Sequence, residues 1–306
     1  MRASNRNREH APVTLLDGSR ETPVGSYWTR HTVNSKPFAN AKKSEAYLEW
    51  RFAQYPLFRE FSGLWGDHAG ETILDYGCGP GDDLTGLALY SGAVKLIGLD
   101  VSATALGLAS RRLALHGVDP DRITLRQVDD ATPEIPLEDR SVDYVNCGGV
   151  LHHTSSPQPL LAELRRVLRP GGRAFVMVYN SDSVWLHLYV AYEKMLHDEA
   201  FAGLELDEAF RRLTDGIECP ISRHYSADEM SAMCEQAGFS ARYAGGYLSE
   251  HELRQMETHW ARAIVDERLA EPHRDFLRAL SFDAQGRPMI RGFHAGIGGV
   301  FHLRPG

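Results

Sequence analysis

The chain is 306 residues long, carries 33 Lys and Arg against 41 Asp and Glu for a formal net charge of −8, and is 43% hydrophobic and 24% charged. That length holds one large domain or one and a half, in the proportions of a soluble globular protein. The acidic balance argues against a dedicated nucleic-acid binder, because phosphate contacts need clustered Lys and Arg; it leaves only a local basic patch for any RNA substrate.

Residues 1–25 are polar and without clear period, which predicts a flexible N-terminal arm. Residues 26–40 mix Tyr27, Trp28 and Phe38 with polar groups, a composition suited to a segment closing over a ligand. Ser44 is placed to cap a helix through Tyr47, Leu48, Trp50, Arg51 and Phe52, and Pro56 to kink or restart it, so 26–68 reads as a helical lid. Ile73 and Leu74 make strand one, and 94–100 strand two. Ser102 caps a helix carrying Ala105, Leu106 and Leu113; 123–128 and 143–147 are strands three and four. Leu160, Leu161, Leu164, Val167 and Leu168 form one helix face, stopped by Pro170, Gly171 and Gly172 before strand five at 174–179. This alternation predicts a doubly wound parallel sheet with ligands at the C-terminal strand tips, and sets the core at 69–180.

Beyond it, 183–215 looks helical, with Trp185, Leu186, Leu188, Tyr189, Tyr192 and Leu196 on one stripe, so 181–222 reads as a helical cap inserted after strand five. Ser226 opens a further helix, 239–244 is strand six, 249–280 is helical and 298–303 the last strand; 223–306 completes the core. The four cysteines, 78, 147, 219 and 234, show no C-x-x-C pair and no zinc spacing, so free thiols in a reducing cytosol and no metal centre are expected. No apolar run reaches membrane-spanning length and the N-terminus is not a signal peptide, which predicts a cytoplasmic protein without membrane association.

The most informative stretch is Asp75, Tyr76, Gly77, Cys78, Gly79, Pro80 and Gly81. A strand ends in an acid, three alternating glycines turn the chain, and Leu84 and Leu87 begin a helix. Dinucleotide folds use G-x-G-x-x-G with pyrophosphate on the helix N-terminus. Here the spacing is G-x-G-x-G, and a carboxylate two residues earlier suits a cationic ligand better than a phosphate. Asp100 ends strand two, Asp129, Asp130 and Ala131 follow strand three, and Cys147, Gly148, Gly149, Val150, Leu151, His152 and His153 follow strand four. With the Leu168 to Gly172 turn, these motifs resemble, in order and spacing over residues 70–180, the class I S-adenosylmethionine (SAM)-dependent methyltransferases. That resemblance implies a seven-stranded, mostly parallel sheet with an antiparallel last strand, and SAM as cofactor.

The resemblance assigns the cofactor to Asp75, Gly77, Cys78, Gly79, Asp100, Val101, Asp130, Ala131, Cys147 and Gly148. Asp100 would accept the ribose hydroxyls, Asp130 (or Asp129) the adenine amino group, and carbonyls near Gly77 and Cys147 or Gly148 the methionine ammonium. Asp143 reads as structural, and Arg51 as a helix-surface ion pair or a partner of the SAM carboxylate. His153 and His152 lead as general base, since imidazole titrates near neutral pH. Tyr179, Asn180, Arg223, His224 and Tyr225 are expected at the acceptor mouth, with Trp28 and His31 on the lid side; the stripe around Trp185 and Tyr192 reads first as core. The expected function is methylation of O, N or C on a small metabolite, such as a secondary metabolite or sugar-like acceptor, by a chain compatible with a homodimer. The alternatives are a protein or peptide methyltransferase and a non-catalytic SAM-binding scaffold.

Overall fold

The computed structural model describes residues 10–16, 22–63 and 65–306. Its main sheet has eight strands, in the order β1 (Val13–Thr14), β4 (Ile123–Gln127), β3 (Lys95–Asp100), β2 (Thr72–Tyr76), β5 (Val142–Gly148), β6 (Leu168–Tyr179), β11 (Gly298–Pro305) and β7 (Phe239–Tyr247). The first six run parallel, and β11 lies antiparallel between β6 and β7. The seven expected strands are therefore present with one addition. β1 pairs Val13 with Leu125 at the sheet edge, so part of the predicted flexible arm is a strand. Two residues are too short for any period to announce them, and the pairing comes from the open edge of β4. Residues 1–9 and 17–21 of that arm lie outside the described residues.

Strand alternation sorts side chains onto two faces. Leu74, Ile97, Val145, Val176 and Phe301 join Leu160, Leu161 and Leu164 of α6 (Pro157–Val167) and Met230 and Cys234 of α9 (Ala227–Gln236) in one core. Their neighbours Ile73, Leu96, Tyr144, Phe175 and Val300 turn to the other face. There they meet Leu84 and Leu87 of α4 (Asp82–Tyr90), Leu106 and Leu113 of α5 (Ala103–Leu115), and Leu48 of α2 (Ala41–Gln54). The sheet is thus covered on both sides, and its strand tips are left for ligands.

Two of the three predicted caps hold. Ser102 accepts from Ala105 N at 3.2 Å, and Ser226 forms a capping box with Glu229. Ser44 does not start α2. Asn40 caps it through Lys43 N at 2.9 Å, and Ser44 sits a turn inside, buried and bonded to Arg112 Nε at 2.8 Å and His116 Nε2 at 2.9 Å. The chain breaks around Pro56, as expected, before α3 (Phe58–Ser62). Among the described residues, no helix is long and apolar enough to cross a membrane.

The segment after β6 winds as a π-helix over Trp185–Lys194, continues as α7 (Met195–His197) and folds back as α8 (Leu206–Thr214). It packs against α10 (Glu250–Ala263) and α11 (Glu271–Arg278), and a small three-stranded sheet, β8 (Ser281–Phe282), β9 (Pro288–Ile290) and β10 (Phe293–His294), follows. Tyr192 is buried in this packing and Trp185 donates to Thr214 Oγ1 at 2.9 Å, so the stripe is core, as its first reading held.

Glu252 locks α10 to the π-helix. Its carboxylate accepts from Ser249 N at 2.7 Å, Ser249 Oγ at 2.9 Å and Trp185 N at 3.2 Å, while fully buried. Burial outweighs these bonds and pushes its pKa from 4.5 up to about 7. A carboxyl with a raised folded-state pKa contributes its full stability below pH 4.5 and loses it as the pH climbs through 7, a change on the order of 3 kcal/mol. Between pH 5 and pH 8, urea unfolding should therefore show wild type losing more stability than Glu252→Gln. Parallel pH profiles would dismiss the effect.

Candidate active site

A cleft of about 580 Å³ opens at the C-terminal tips of β2, β3, β5 and β6, beneath α1 (Pro23–Arg30). The glycine turn forms its floor. Gly77 has φ +75°, and a Cβ there would stand 2.2 Å from Val150 Cγ2. Gly79, at φ +52°, has nothing within 4 Å of such a Cβ. Gly77→Ala is thus expected to destabilise the fold by about 1–3 kcal/mol, from left-handed strain and the clash. Gly79→Ala should cost less, and thermal melts of both variants check the order.

Asp100 is clasped by the turn it faces. Gly79 N donates to one carboxylate oxygen at 2.8 Å and Ser102 N to the other at 2.8 Å. Burial raises its pKa, and those amide bonds oppose the rise. Asp75 is more deeply buried. One oxygen accepts from Asn146 Nδ2 at 2.8 Å; the other, also buried, has no hydrogen-bond partner among the described residues. Burial first and the neighbouring Asp83 second lift its pKa well above the carboxylate range. Asp83 is itself closely paired with Arg51, whose Nη2 donates to its second oxygen at 3.4 Å. Arg51 is therefore an ion-pair residue, as one of its two readings held, but at the cleft wall rather than on the helix surface.

Across the strand order, β5 and β6 supply the other wall. His152 is buried and stacked on Tyr179, with ring centroids 3.9 Å apart, and its Nδ1 has no hydrogen-bond partner among the described residues. Burial, with help from His153, drives its pKa well below the usual histidine value. His153 Nδ1 donates to Ile221 O at 2.7 Å. A carbonyl only accepts, so in the neutral ring Nε2 carries the lone pair. That nitrogen faces Asp215 Oδ1 at 3.5 Å. Burial lowers the His153 pKa, and Asp215 works against that. Asp215 also accepts from Tyr179 OH at 2.8 Å and Ser222 Oγ at 2.6 Å. α1 covers this pair: the Trp28 and His153 rings meet at 62° with centroids 4.8 Å apart, and Tyr27 OH donates to the Asp215 carbonyl.

The cleft lining gathers Trp28, His31, Asp75, Gly77, Cys78, Gly79, Asp100, Val101, Asp130, Gly148, His152, His153 and Tyr179 from the sequence-predicted set. The rest do not reach it. Asn180 is turned into the fold, bonding Asp182 O at 2.9 Å and Gly296 O at 3.0 Å. Arg223 donates to Thr154 O at 2.7 Å, and His224 lies between Ser181 Oγ at 2.9 Å and Asp207 at 3.1 Å. Tyr225 and the Cys147 side chain pack in the sheet core, and Ala131 is exposed behind Asp129, which bonds its amide at 2.9 Å. Asp130 lines the cleft but is held by Thr154 Oγ1 at 2.9 Å. Asp143 is structural, accepting from Thr72 N at 2.9 Å. Asp215 was not anticipated, and Tyr27 only as one aromatic of the 26–40 segment; in sequence, Asp215 looks like any polar residue between a helix end and Gly216.

A family model described as a methyltransferase domain matches residues 67–258, and the chain belongs to that family, the class I SAM-dependent methyltransferases. An uncharacterized 37.1 kDa protein of transposon TN4556 from Streptomyces fradiae is 35% identical over 236 residues, 75% of this chain and 62% of that one, so the chain spans under two thirds of that relative. A demethylmenaquinone methyltransferase of Tropheryma whipplei is 30% identical over 180 residues, 56% of this chain and 67% of its own. The phosphoethanolamine N-methyltransferase 2 of Haemonchus contortus, solved with phosphomonomethylethanolamine and S-adenosylhomocysteine, shares the fold with a TM-score of 0.52 at 16% identity, over 92% of this chain and 61% of that one. SAM is the family's cofactor, and the residues present fit it. A buried Asp75 oxygen with no hydrogen-bond partner among the described residues can accept from an ammonium, whose charge would favour the ionised acid; a clasped Asp100 keeps lone pairs for two hydroxyls, and Gly79 leaves open space beside the backbone.

Proposed function

We propose that this chain is a SAM-dependent methyltransferase whose acceptor is a small molecule with an ionisable hydroxyl, methylated on that oxygen or on a carbon it activates. The observation that carries the reading is a single cleft lined both by Asp75 and Asp100 and by the His153–Asp215 pair. When bound, the cofactor supplies an electrophilic methyl group on a sulfonium. Asp100 holds the ribose hydroxyls, Asp75 the ammonium, the backbone from Gly77 to Gly79 the methionine chain, and Val101 with Asp130 the adenine edge. Trp28, Val150, Met177 and Tyr179 offer flat or apolar walls to the acceptor. The lid helix above them favours a small planar molecule over a peptide. The name of the demethylmenaquinone methyltransferase relatives, which points to a quinone-type acceptor, supports the same choice. Alignment of acceptor and donor between these walls is worth up to about 7–11 kcal/mol, and the His153–Asp215 pair is where the acceptor loses its proton.

The test is incubation of the protein with methyl-labelled SAM and extract of its source cells, followed by size fractionation and mass spectrometry. Label in a small metabolite is the expected result. Label in protein or RNA would overturn the acceptor class. No label despite SAM binding would favour a non-catalytic binder.

A further inference from the structure

The reading of the His153–Asp215 pair leaves its third neighbour unused. A His153 ring nitrogen, an Asp215 carboxylate oxygen and Cys219 Sγ all lie within 4.8 Å of one another. They come from two separate parts of the chain, the loop after β5 and the loop after α8, which is why their spacing in sequence carries no ligand signature. Nitrogen, oxygen and sulfur donors in one small volume suit a borderline-soft dication of the zinc type.

The surroundings are those of a built ligand set. His153 Nδ1 donates to Ile221 O at 2.7 Å, a bond that fixes the ring and its tautomer. Both oxygens of Asp215 receive hydroxyl bonds, from Tyr179 at 2.8 Å and Ser222 at 2.6 Å, so the carboxylate is aimed rather than free. The loop bearing Cys219 is tied down by Arg211, which donates to Ile217 O at 2.8 Å and to Cys219 O and is braced by Glu208. Cys219 is buried, and its thiol rests on Ile221 O at 3.3 Å, the carbonyl that also holds His153.

We propose that His153, Asp215 and Cys219 form a three-ligand site for a divalent transition metal, with zinc its natural occupant. This rests on the reading of the cleft as the acceptor site. His153 and Asp215 line the cleft, so a metal held by this set would be within reach of an acceptor there. Three protein ligands with one open position is the pattern of catalytic rather than structural zinc. On metal binding the Cys219 S–H bond breaks, its proton goes to solvent and a metal–sulfur bond forms. A metal held by these residues would lower the pKa of an acceptor hydroxyl that reached it, taking over the activation otherwise left to the free His153–Asp215 pair, with the released proton passing to solvent.

The test uses the full chain, stripped with a chelator and titrated with Co²⁺ as a spectroscopic probe. One Co²⁺ per chain is expected, with a sulfur-to-cobalt charge-transfer band that Zn²⁺ abolishes by displacement. Cys219→Ser should remove the band and Cys234→Ser should keep it. Tyr179→Phe, which strips a hydroxyl from Asp215, should weaken Co²⁺ affinity by about 10–100-fold. SAM affinity measured on the same variants establishes that they are folded. Absence of saturable Co²⁺ binding, or a band that survives Cys219→Ser, would overturn the site. Failure of the methyltransferase reading would look different: Co²⁺ would bind with its sulfur band while SAM did not bind.

Discussion

His153→Gln is expected to lower kcat by about 10²–10⁴ while leaving SAM affinity nearly unchanged. Glutamine keeps the size of the side chain but offers neither a ring nitrogen lone pair at the Nε2 position nor a charge to match Asp215. Its amide can still reach Ile221 O, so the loop after β5 should keep its course. The Trp28 contact with this ring will loosen, which is why the thermal midpoint belongs beside the kinetics. Steady-state turnover with the acceptor identified by labelling, and calorimetric titration with SAM, make the measurement. A drop in kcat of less than tenfold would remove His153 from the chemistry. A loss of SAM affinity equal to the loss of turnover would turn it into a cofactor-side residue.

Asp100→Ala is expected to weaken SAM binding by about 1.5–3 kcal/mol, since hydrogen bonds to a charged group are lost. That corresponds to roughly tenfold to more than a hundredfold in Kd. The argument lies in the two amides that clasp the carboxylate. Gly79 N and Ser102 N occupy one lone pair on each oxygen and fix the plane of the group, so no entropy is lost in orienting it when ligand hydroxyls arrive. Removing the carboxylate also strands those two amides and slackens the glycine turn. Asp100→Asn separates the effects, because one oxygen is retained while an amino group faces the other backbone N–H. Its affinity should lie between wild type and Asp100→Ala. Unchanged affinity in both would remove Asp100 from the cofactor site.

The features legible in the sequence were those fixed by neighbours along the chain. The glycine turn, Asp75 and Asp100 near the ends of β2 and β3, and the Ser102 cap depend on a few consecutive residues, and they appear where the sequence places them. Asp215 depends on a meeting of α8 with β6 and the loop after β5, and nothing within a few residues of it signals that encounter. Asn180 and His224 failed for the opposite reason. Each stands at a position where the path of the chain points to the cleft, yet Asn180 is drawn back by Gly296 O and Asp182 O, and His224 by Ser181 and Asp207. Backbone placement was readable there; the direction of the side chain was decided by hydrogen-bond partners far away in sequence.

The antiparallel strand also imposes an order of events during biosynthesis. β7 has a single neighbour in the sheet, β11, and β6 has β11 on its outer side. As the chain leaves the ribosome, β6 can join the growing parallel sheet at once, but its outer row of amides and carbonyls stays open until Gly298–Pro305 has been made. At about 5–20 residues per second, that interval is on the order of ten seconds. For its duration the nascent protein displays a long apolar strand edge, a ready template for pairing with other chains. The cell would therefore meet its greatest aggregation risk from this protein on the polysome, before the last strand seals the sheet.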